Sequence, residues 1–201
     1  MLSNKFLQKN YTAKQLEQFN LYLTLMLKWN QTYNLTAITE PNEMVIRHII
    51  DSLAINDFLH GSRICDVGSG AGLPGIPLAI VNPNKHFTLI DSNNKKIRFL
   101  TQVKIELKLT NIEIIHARTE QYKPKNCLHT IVSRAFSSIN AMLLQTQHLC
   151  CKDGIFLAMK GAYPETELAE LDPNFKVKWV KELQIPDLDA QRHLVGIERL
   201  R

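Results

Sequence analysis

The stretch Asp66-Val67-Gly68-Ser69-Gly70-Ala71-Gly72-Leu73-Pro74 joins the end of an apolar, strand-like run to the start of an apolar, helix-like one. Three glycines alternate through it. Glycine allows a turning backbone to take positive φ and allows another molecule to come close. In an open α/β sheet, such a loop after the first strand lies at the carboxyl ends of the strands, where ligands sit. The spacing rules out two phosphate sites. G-x-G-x-x-G needs glycine at 73, where Leu73 stands, and a P-loop needs a Gly-Lys-Ser/Thr ending, which is absent. What remains is D-x-G-x-G-x-G, formed by Asp66, Gly68, Gly70 and Gly72. A carboxylate two residues before the first glycine is awkward for pyrophosphate but suits a ligand with cationic groups, and S-adenosylmethionine has both an ammonium and a sulfonium. Asp91 ends the next strand-like run at about the 20-residue spacing of an acid that accepts ribose hydroxyls. S-adenosylmethionine and NAD both place a ribose there, so Asp91 indicates a nucleoside without choosing between them.

The remaining polar candidates concern the other reactant. Arg134 leaves the fourth strand in Ile-Val-Ser-Arg-Ala-Phe and points toward the cleft. Neither the Asn-Pro-Pro-Tyr that exocyclic amine methylation favours nor a Pro-Cys nucleophile for pyrimidine carbon stands there. Arginine often reads guanine O6 and N7 together, so Arg134 is expected at a cofactor carboxylate, O6 or a phosphate. Lys160, ending the fifth strand, is either a phosphate contact or a solvated strand end. Arg47 with Asp51, and His48 with Ser52, are four residues apart and share helix faces; a surface ion pair competes with a place in the site wall. Asn34 in Tyr-Asn-Leu-Thr carries the same two readings. Arg192 and His193 fall at a hairpin turn, where loop surface is favoured over RNA contact. No spacing supports a metal site from His48, His116 and His129, and none is expected.

These residues need a frame to hold them. The chain has 201 residues, 45% hydrophobic and 21% charged, with a net charge of +5. That describes a folded globular protein with a slight bias toward polyanionic partners. Cys65, Cys127, Cys150 and Cys151 form no C-x-x-C pair, so reduced thiols and a cytoplasmic location are expected. No run approaches the roughly 20 apolar residues of a membrane helix. Thr12 and Gln15 have capping-box form ahead of a helix predicted over 13–29. Pro41 opens a second helix, near 41–58, buried through Val45, Ile46, Ile49 and Leu53. Strands are predicted at 63–67, 86–91, 112–116, 129–134 and 155–159, with helices at 74–82, 94–108 and 138–149 between them. That alternation implies a parallel sheet with right-handed crossovers. The segments 175–185 and 192–200 are strand-like and separated by a loop too short for a crossover, so they pair antiparallel. The expected architecture is a doubly wound α/β sheet over residues 61–201 with an antiparallel C-terminal hairpin, capped by helices in residues 1–60.

The combination of Lys-Trp-Asn-Gln-Thr-Tyr-Asn-Leu-Thr, Arg-His-x-x-Asp-Ser, Asp66 to Ile80, Thr-Leu-Ile-Asp-Ser-Asn-Asn-Lys-Lys, Ile-Val-Ser-Arg-Ala-Phe and Ala-Met-Lys-Gly resembles the RsmG (GidB) family, from about residue 12 to the C-terminus. These are bacterial methyltransferases of small-subunit ribosomal RNA. The resemblance implies a class I, Rossmann-like S-adenosylmethionine-dependent methyltransferase and transfer to N7 of a guanine in 16S rRNA. It also implies cofactor contacts at Gly68, Leu73, Thr119, Glu120 and Arg134. The acceptor-site candidates are Asn34, Arg47, His48, Asp51 and Lys160. A monomer acting on RNA within the small ribosomal subunit is expected, without a membrane or metal. The alternatives are a class I methyltransferase of a small molecule or protein, and a non-catalytic RNA-binding module of the same fold.

Overall fold

The computed structural model describes residues 4–134 and 136–200. Seven strands form one sheet: β1 (Arg63–Val67), β2 (His86–Asp91), β3 (Ile112–His116), β4 (Leu128–Ser133), β5 (Cys150–Lys160), β6 (Phe175–Glu182) and β7 (His193–Arg199). Their order is β3-β2-β1-β4-β5-β7-β6. The first five are parallel, and β7 runs antiparallel to both β5 and β6. The order reverses between β1 and β4, which is the crevice where an open sheet receives its ligand.

Strand alternation sorts the buried residues onto two faces. Ile64, Phe87, Leu89, Val132, Leu157 and Leu194 face one core, together with Phe19, Tyr22 and Met26 of the N-terminal helices. Cys65, Val67, Ile90, Ile131, Phe156 and Val195 face the other. Helices α1 (Lys5–Asn10) and α2 (Ala13–Tyr33) therefore pack on the face that also carries Asp66. Thr12 and Gln15 form the expected capping box. The helix after it extends to Tyr33, four residues past the predicted end.

The segment 41–53 is helical but not uniformly α. It comprises α3 (Pro41–Met44), a π-helical stretch (Val45–Ile50) and α4 (Asp51–Leu53), and is followed by a 3₁₀ turn at Asn56–Phe58. The Asp51 N–H reaches five residues back, to the carbonyl of Ile46. This widened turn puts His48, Asp51 and Ser52 inside with Val45, Ile49 and Leu53. The crossover helices are α5 (Gly75–Val81), α6 (Asn94–Glu106) and α7 (Ile139–Thr146), with caps at Asn93 and Ser138. Helices α1 and α8 (Glu165–Ala169) were not expected. With 6 and 5 residues they are too short to show periodicity.

The expectation of four reduced thiols fails at two positions. Cys127 and Cys151 form a disulfide, their Cα atoms 4.9 Å apart. The reason is topological. β4 and β5 are parallel neighbours whose starts lie side by side, with Leu128 opposite Cys150. Cys65 and Cys150 are free.

Candidate active site at the carboxyl ends of the strands

The loop after β1 is fixed on every side. Ser69 donates its N–H to the Ile90 carbonyl at 3.0 Å and its hydroxyl to the Asp66 carbonyl at 2.8 Å. Gly70 N–H donates to Asp91 Oδ2 at 2.8 Å. From helix α2, the buried Tyr22 hydroxyl donates to the Ala71 carbonyl at 2.6 Å. Leu73 donates its N–H to the Ser69 carbonyl at 3.1 Å and is half-buried ahead of Pro74. Gly68, Gly70 and Gly72 have φ of 67°, 60° and 93°, the left-handed region that glycine adopts without strain. Gly68 differs from its neighbours in being exposed. A Cβ built on it meets nothing nearer than the Phe136 ring at 4.0 Å. Its backbone thus opens onto free space at the switch point, as close approach by a ligand requires.

The two acids do different work. Asp91 is buried beside the loop; Oδ2 holds Gly70 and Oδ1 accepts from Asn93 N–H at 2.8 Å. Lys96 Nζ stands 3.8 Å from Oδ2. The 3₁₀ turn Thr119–Gln121 follows β3, and Ala117 N–H donates to the Asp91 carbonyl at 3.3 Å, tying that segment to the end of β2. Thr119 is buried and Glu120 exposed.

Asp66 departs from its expected role. It was expected to present its carboxylate to a cationic ligand, but the carboxyl is 0% exposed beneath the turn into α5. Oδ2 accepts the Gly75 N–H at 2.8 Å, while Oδ1 has no partner. Alternation in β1 turns Asp66 to the same face as Ile64. A Cβ at position 75 would come within 2.7 Å of Oδ2, so glycine there lets the acid reach the helix start. Burial pushes the Asp66 carboxyl up to about 7; the Gly75 N–H and the Arg134 charge restrain that shift, and Asp91 adds to it.

Beside this loop region, a cavity of about 280 Å³ includes Arg47, Asp51, Arg134, Lys160 and Arg192 in its wall. The structure brings four expected residues together there and adds Arg192, whose place at a hairpin turn favours loop surface in the sequence. Their pairing also differs from the helical-spacing expectation. Arg47 pairs with Glu43, one α-turn back, rather than with Asp51. The π-helical stretch turns Asp51 inward, where Oδ2 lies 3.3 Å from Arg134 Nη1 and Oδ1 accepts from Arg192 Nε at 2.8 Å. Arg134 Nη1 also donates to the Arg47 carbonyl at 3.0 Å. Lys160 is neither solvated nor free: its Nζ sits 2.9 Å from both oxygens of Glu167, which also accepts the Ile139 N–H at 2.6 Å.

His48 lies behind the wall and is buried. Its Nε2 shares a 2.9 Å hydrogen bond with the Thr36 hydroxyl, and its carbonyl accepts from Ser52 Oγ at 2.5 Å. Burial, helped by the Arg134 charge, lowers the imidazole to about 4, so it is neutral at physiological pH. Asn34 lies elsewhere. It is the exposed left-handed C-cap of α2, with φ of 50°, and does not line the cavity. Among the described residues, no group of three His, Cys, Asp or Glu side chains could hold a metal ion, and no helix is long and apolar enough to cross a membrane.

An exposed glycine at the switch point, an acid holding its loop from the second strand and a capped doubly wound sheet define a Rossmann-like nucleoside-binding fold. Solved structures share this fold. A SAM-dependent methyltransferase from Aquifex aeolicus matches at a TM-score of 0.58 with 16% identity, over 79% of this chain and 93% of that one. One from Thiobacillus denitrificans, in complex with S-adenosyl-L-homocysteine, matches at 0.56 with 11% identity, over 75% and 90%. Sequence similarity is much closer to another group. The GidB family model, described as rRNA small subunit methyltransferase G, matches residues 15–195. The ribosomal RNA small subunit methyltransferase G of Idiomarina loihiensis is 45% identical over 192 residues, 96% of this chain and 93% of its own. That of Pseudomonas fluorescens is 49% identical over 190 residues, covering 94% and 89%. This chain belongs to the GidB family of small-subunit rRNA methyltransferases.

Proposed function

We propose that the protein transfers a methyl group from S-adenosylmethionine to N7 of a guanine in small-subunit (16S) ribosomal RNA, acting in the cytoplasm as a monomer on the ribosomal subunit. Family membership supports the reaction and the RNA. The observation that carries the site assignment is the juxtaposition of an open Gly68 backbone with a cavity walled by arginines at the same strand ends.

The donor half fits S-adenosylmethionine. Gly68, Gly70 and Leu73 give a backbone surface that a nucleoside can approach, whereas Gly72, expected at the cofactor, is buried against Ile76 and Leu100 and serves the turn. Asp91 keeps lone pairs for ribose hydroxyls beyond those used by Gly70 and Asn93. Thr119 and Glu120 border the adenine side, the former through its backbone. Asp66 acts from behind, fixing Gly75 and hence the turn, while Arg134 is poised between donor and acceptor. Bound there, the cofactor supplies an electrophilic methyl on a sulfonium that is already a good leaving group.

What the chain must add is alignment. Guanine N7 offers an in-plane lone pair with no proton to remove, so the acceptor needs no base. The fourth strand ends in Ser133 with Arg134 next to it, without a carboxylate or cysteine at that place. His48 is neutral and bonded to Thr36, so it contributes position rather than proton uptake. Holding two reactants in line removes as much as about 7–11 kcal/mol of barrier, which is ample for this chemistry. The helices of residues 1–60 form the cap that closes over the core of residues 61–201, joined to the loop by Tyr22. The test is mapping of N7-methylguanine after incubating small subunits, naked rRNA and a cell extract with labelled S-adenosylmethionine. Label in protein or small molecules alone would refute the assignment.

A further inference from the structure

Four cations line the acceptor cavity, but they are not equivalent. Arg47 is matched by Glu43, and Lys160 by both oxygens of Glu167. Arg134 and Arg192 share a single carboxylate, Asp51, one oxygen each. That leaves an excess of one positive charge on the pair. The other acid that feels Arg134 is Asp66, which burial biases toward its neutral form. His48, also beside Arg134, is neutral.

Donor counting points the same way. A guanidinium carries five N–H donors and accepts nothing. Arg134 uses two, toward the Arg47 carbonyl and Asp51. Arg192 uses two, toward Asp51 and the Gln191 carbonyl. Each keeps three N–H donors without a protein partner among the described residues. The side chains are only 27% and 21% exposed, so solvent reaches them mainly through the cavity. A cavity of about 280 Å³ is roomy enough for a phosphate group, and the planar fork of arginine matches phosphate oxygens bidentately.

The geometry points to a phosphodiester-binding site formed by Arg134 and Arg192, with Asp51 as the positioning residue that sets both forks, occupied by an RNA backbone phosphate beside the acceptor base. This rests on the RNA reading above and deepens it. Asp51 joins elements that are 83 and 141 residues away in sequence, so it fixes the β6–β7 loop and the end of β4 against the cap. Arg47 and Lys160, already paired, complete the wall.

The experiment uses the intact chain, with Arg192→Ala, Arg192→Lys and Asp51→Asn. It measures methylation of small subunits and anisotropy of labelled small-subunit RNA across a potassium chloride series, with donor affinity by calorimetry. Arg192→Ala is expected to raise KM and the RNA Kd by about tenfold to a hundredfold, as for loss of charged hydrogen bonds. The log–log salt slope should fall by about 0.7–0.9, one phosphate contact, with kcat and donor affinity unchanged. Arg192→Lys should keep the slope but still raise KM, because the charge survives and the fork does not. Asp51→Asn separates positioning from neutralisation. If Asp51 only offsets charge, removing it adds a positive charge to the cavity, so RNA binds tighter with a steeper slope, which overturns the positioning role. Weaker binding with a flatter slope at unchanged donor affinity supports it. Wild-type KM, Kd and slope in Arg192→Ala overturn the phosphate site. If the wild type binds RNA with these dependences but methylates nothing, the site stands and the methyltransferase reading fails.

Discussion

Replacing Asp91 by asparagine tests the donor half with the smallest change of shape. In the wild type both carboxylate oxygens accept backbone N–H groups at 2.8 Å, from Gly70 on one side and Asn93 on the other. The side chain is 8% exposed, so water replaces these bonds poorly. An asparagine keeps one oxygen but sets an NH₂ against the other N–H, donor to donor. One charge-assisted bond is lost, about 1.5–3 kcal/mol. A chain of this size loses about 2–4 °C per kcal/mol, which puts the expected fall in melting temperature at about 3–12 °C. The Lys96 contact at 3.8 Å adds little, because Lys96 is 37% exposed and screened. If the same carboxylate also accepts ribose hydroxyls, donor affinity measured by calorimetry should fall about tenfold to a hundredfold. A folded variant with wild-type melting and wild-type affinity refutes the whole argument. Lower melting with unchanged affinity leaves Asp91 as a loop brace and moves the ribose elsewhere.

Gly68→Val should abolish S-adenosylmethionine binding with little loss of secondary structure, since its Cβ has room but its φ of 67° and the ligand's approach do not tolerate the side chain; a calorimetric titration matching wild type shows the loop is misassigned. Tyr22→Phe strands the buried Ala71 carbonyl, at a cost of about 1–3 kcal/mol, and should weaken both urea resistance and donor affinity; an effect on neither would disconnect the cap from the loop. Asp66 titrates at about 7 in the fold against an ordinary 3.8, so the unfolded chain binds fewer protons in between and this group's contribution to stability declines as pH rises from about 4 to 7. Urea melts of Asp66→Asn should therefore gain on the wild type across that window, and a pH-independent difference rejects the shift. His48 has the opposite sign: at about 4 in the fold against 6.5 unfolded, its contribution is lost as pH falls from about 6.5 to 4, so the advantage of wild type over His48→Gln should shrink on acidification.

The geometry of the proposed donor loop was legible because its parts are local. Gly68, Gly70 and Gly72 lie in one loop, and Asp91 ends the strand of the adjoining βα unit, so spacing alone brings them together. Strand positions in the parallel core followed from strand alternation, except that β5 begins at Cys150, five residues before its expected start, and the antiparallel hairpin followed from its short connection. Orientation was less legible. Asp66 falls near the end of β1 as expected, but its motif assigns it to a cationic ligand, because a motif gives no account of which strand face is buried. The disulfide escaped because Cys127 and Cys151 are separated by 24 residues in sequence and become neighbours only once β4 and β5 pair.

The proposed acceptor cavity is illegible for a stronger reason. A regular helix places Arg47 and Asp51 on one face, and that rule predicts a local ion pair. Over Val45–Ile50 the backbone shifts to i→i+5 bonding, a form that recurs at functional sites. The shift leaves Arg47 to Glu43 and carries Asp51 inward, toward arginines supplied by the end of β4 and by the β6–β7 loop. No window of sequence contains that arrangement. A buried carboxylate without a partner is unfavourable by several kcal/mol, so Asp51 depends on having Arg134 or Arg192 beside it. The arginines in turn have no other acid in the cavity wall to share. The three residues are therefore coupled, and changes at Asp51 and Arg192 should be non-additive in KM. A double variant no worse than the poorer single one is the expected result, and full additivity would show that the two act separately.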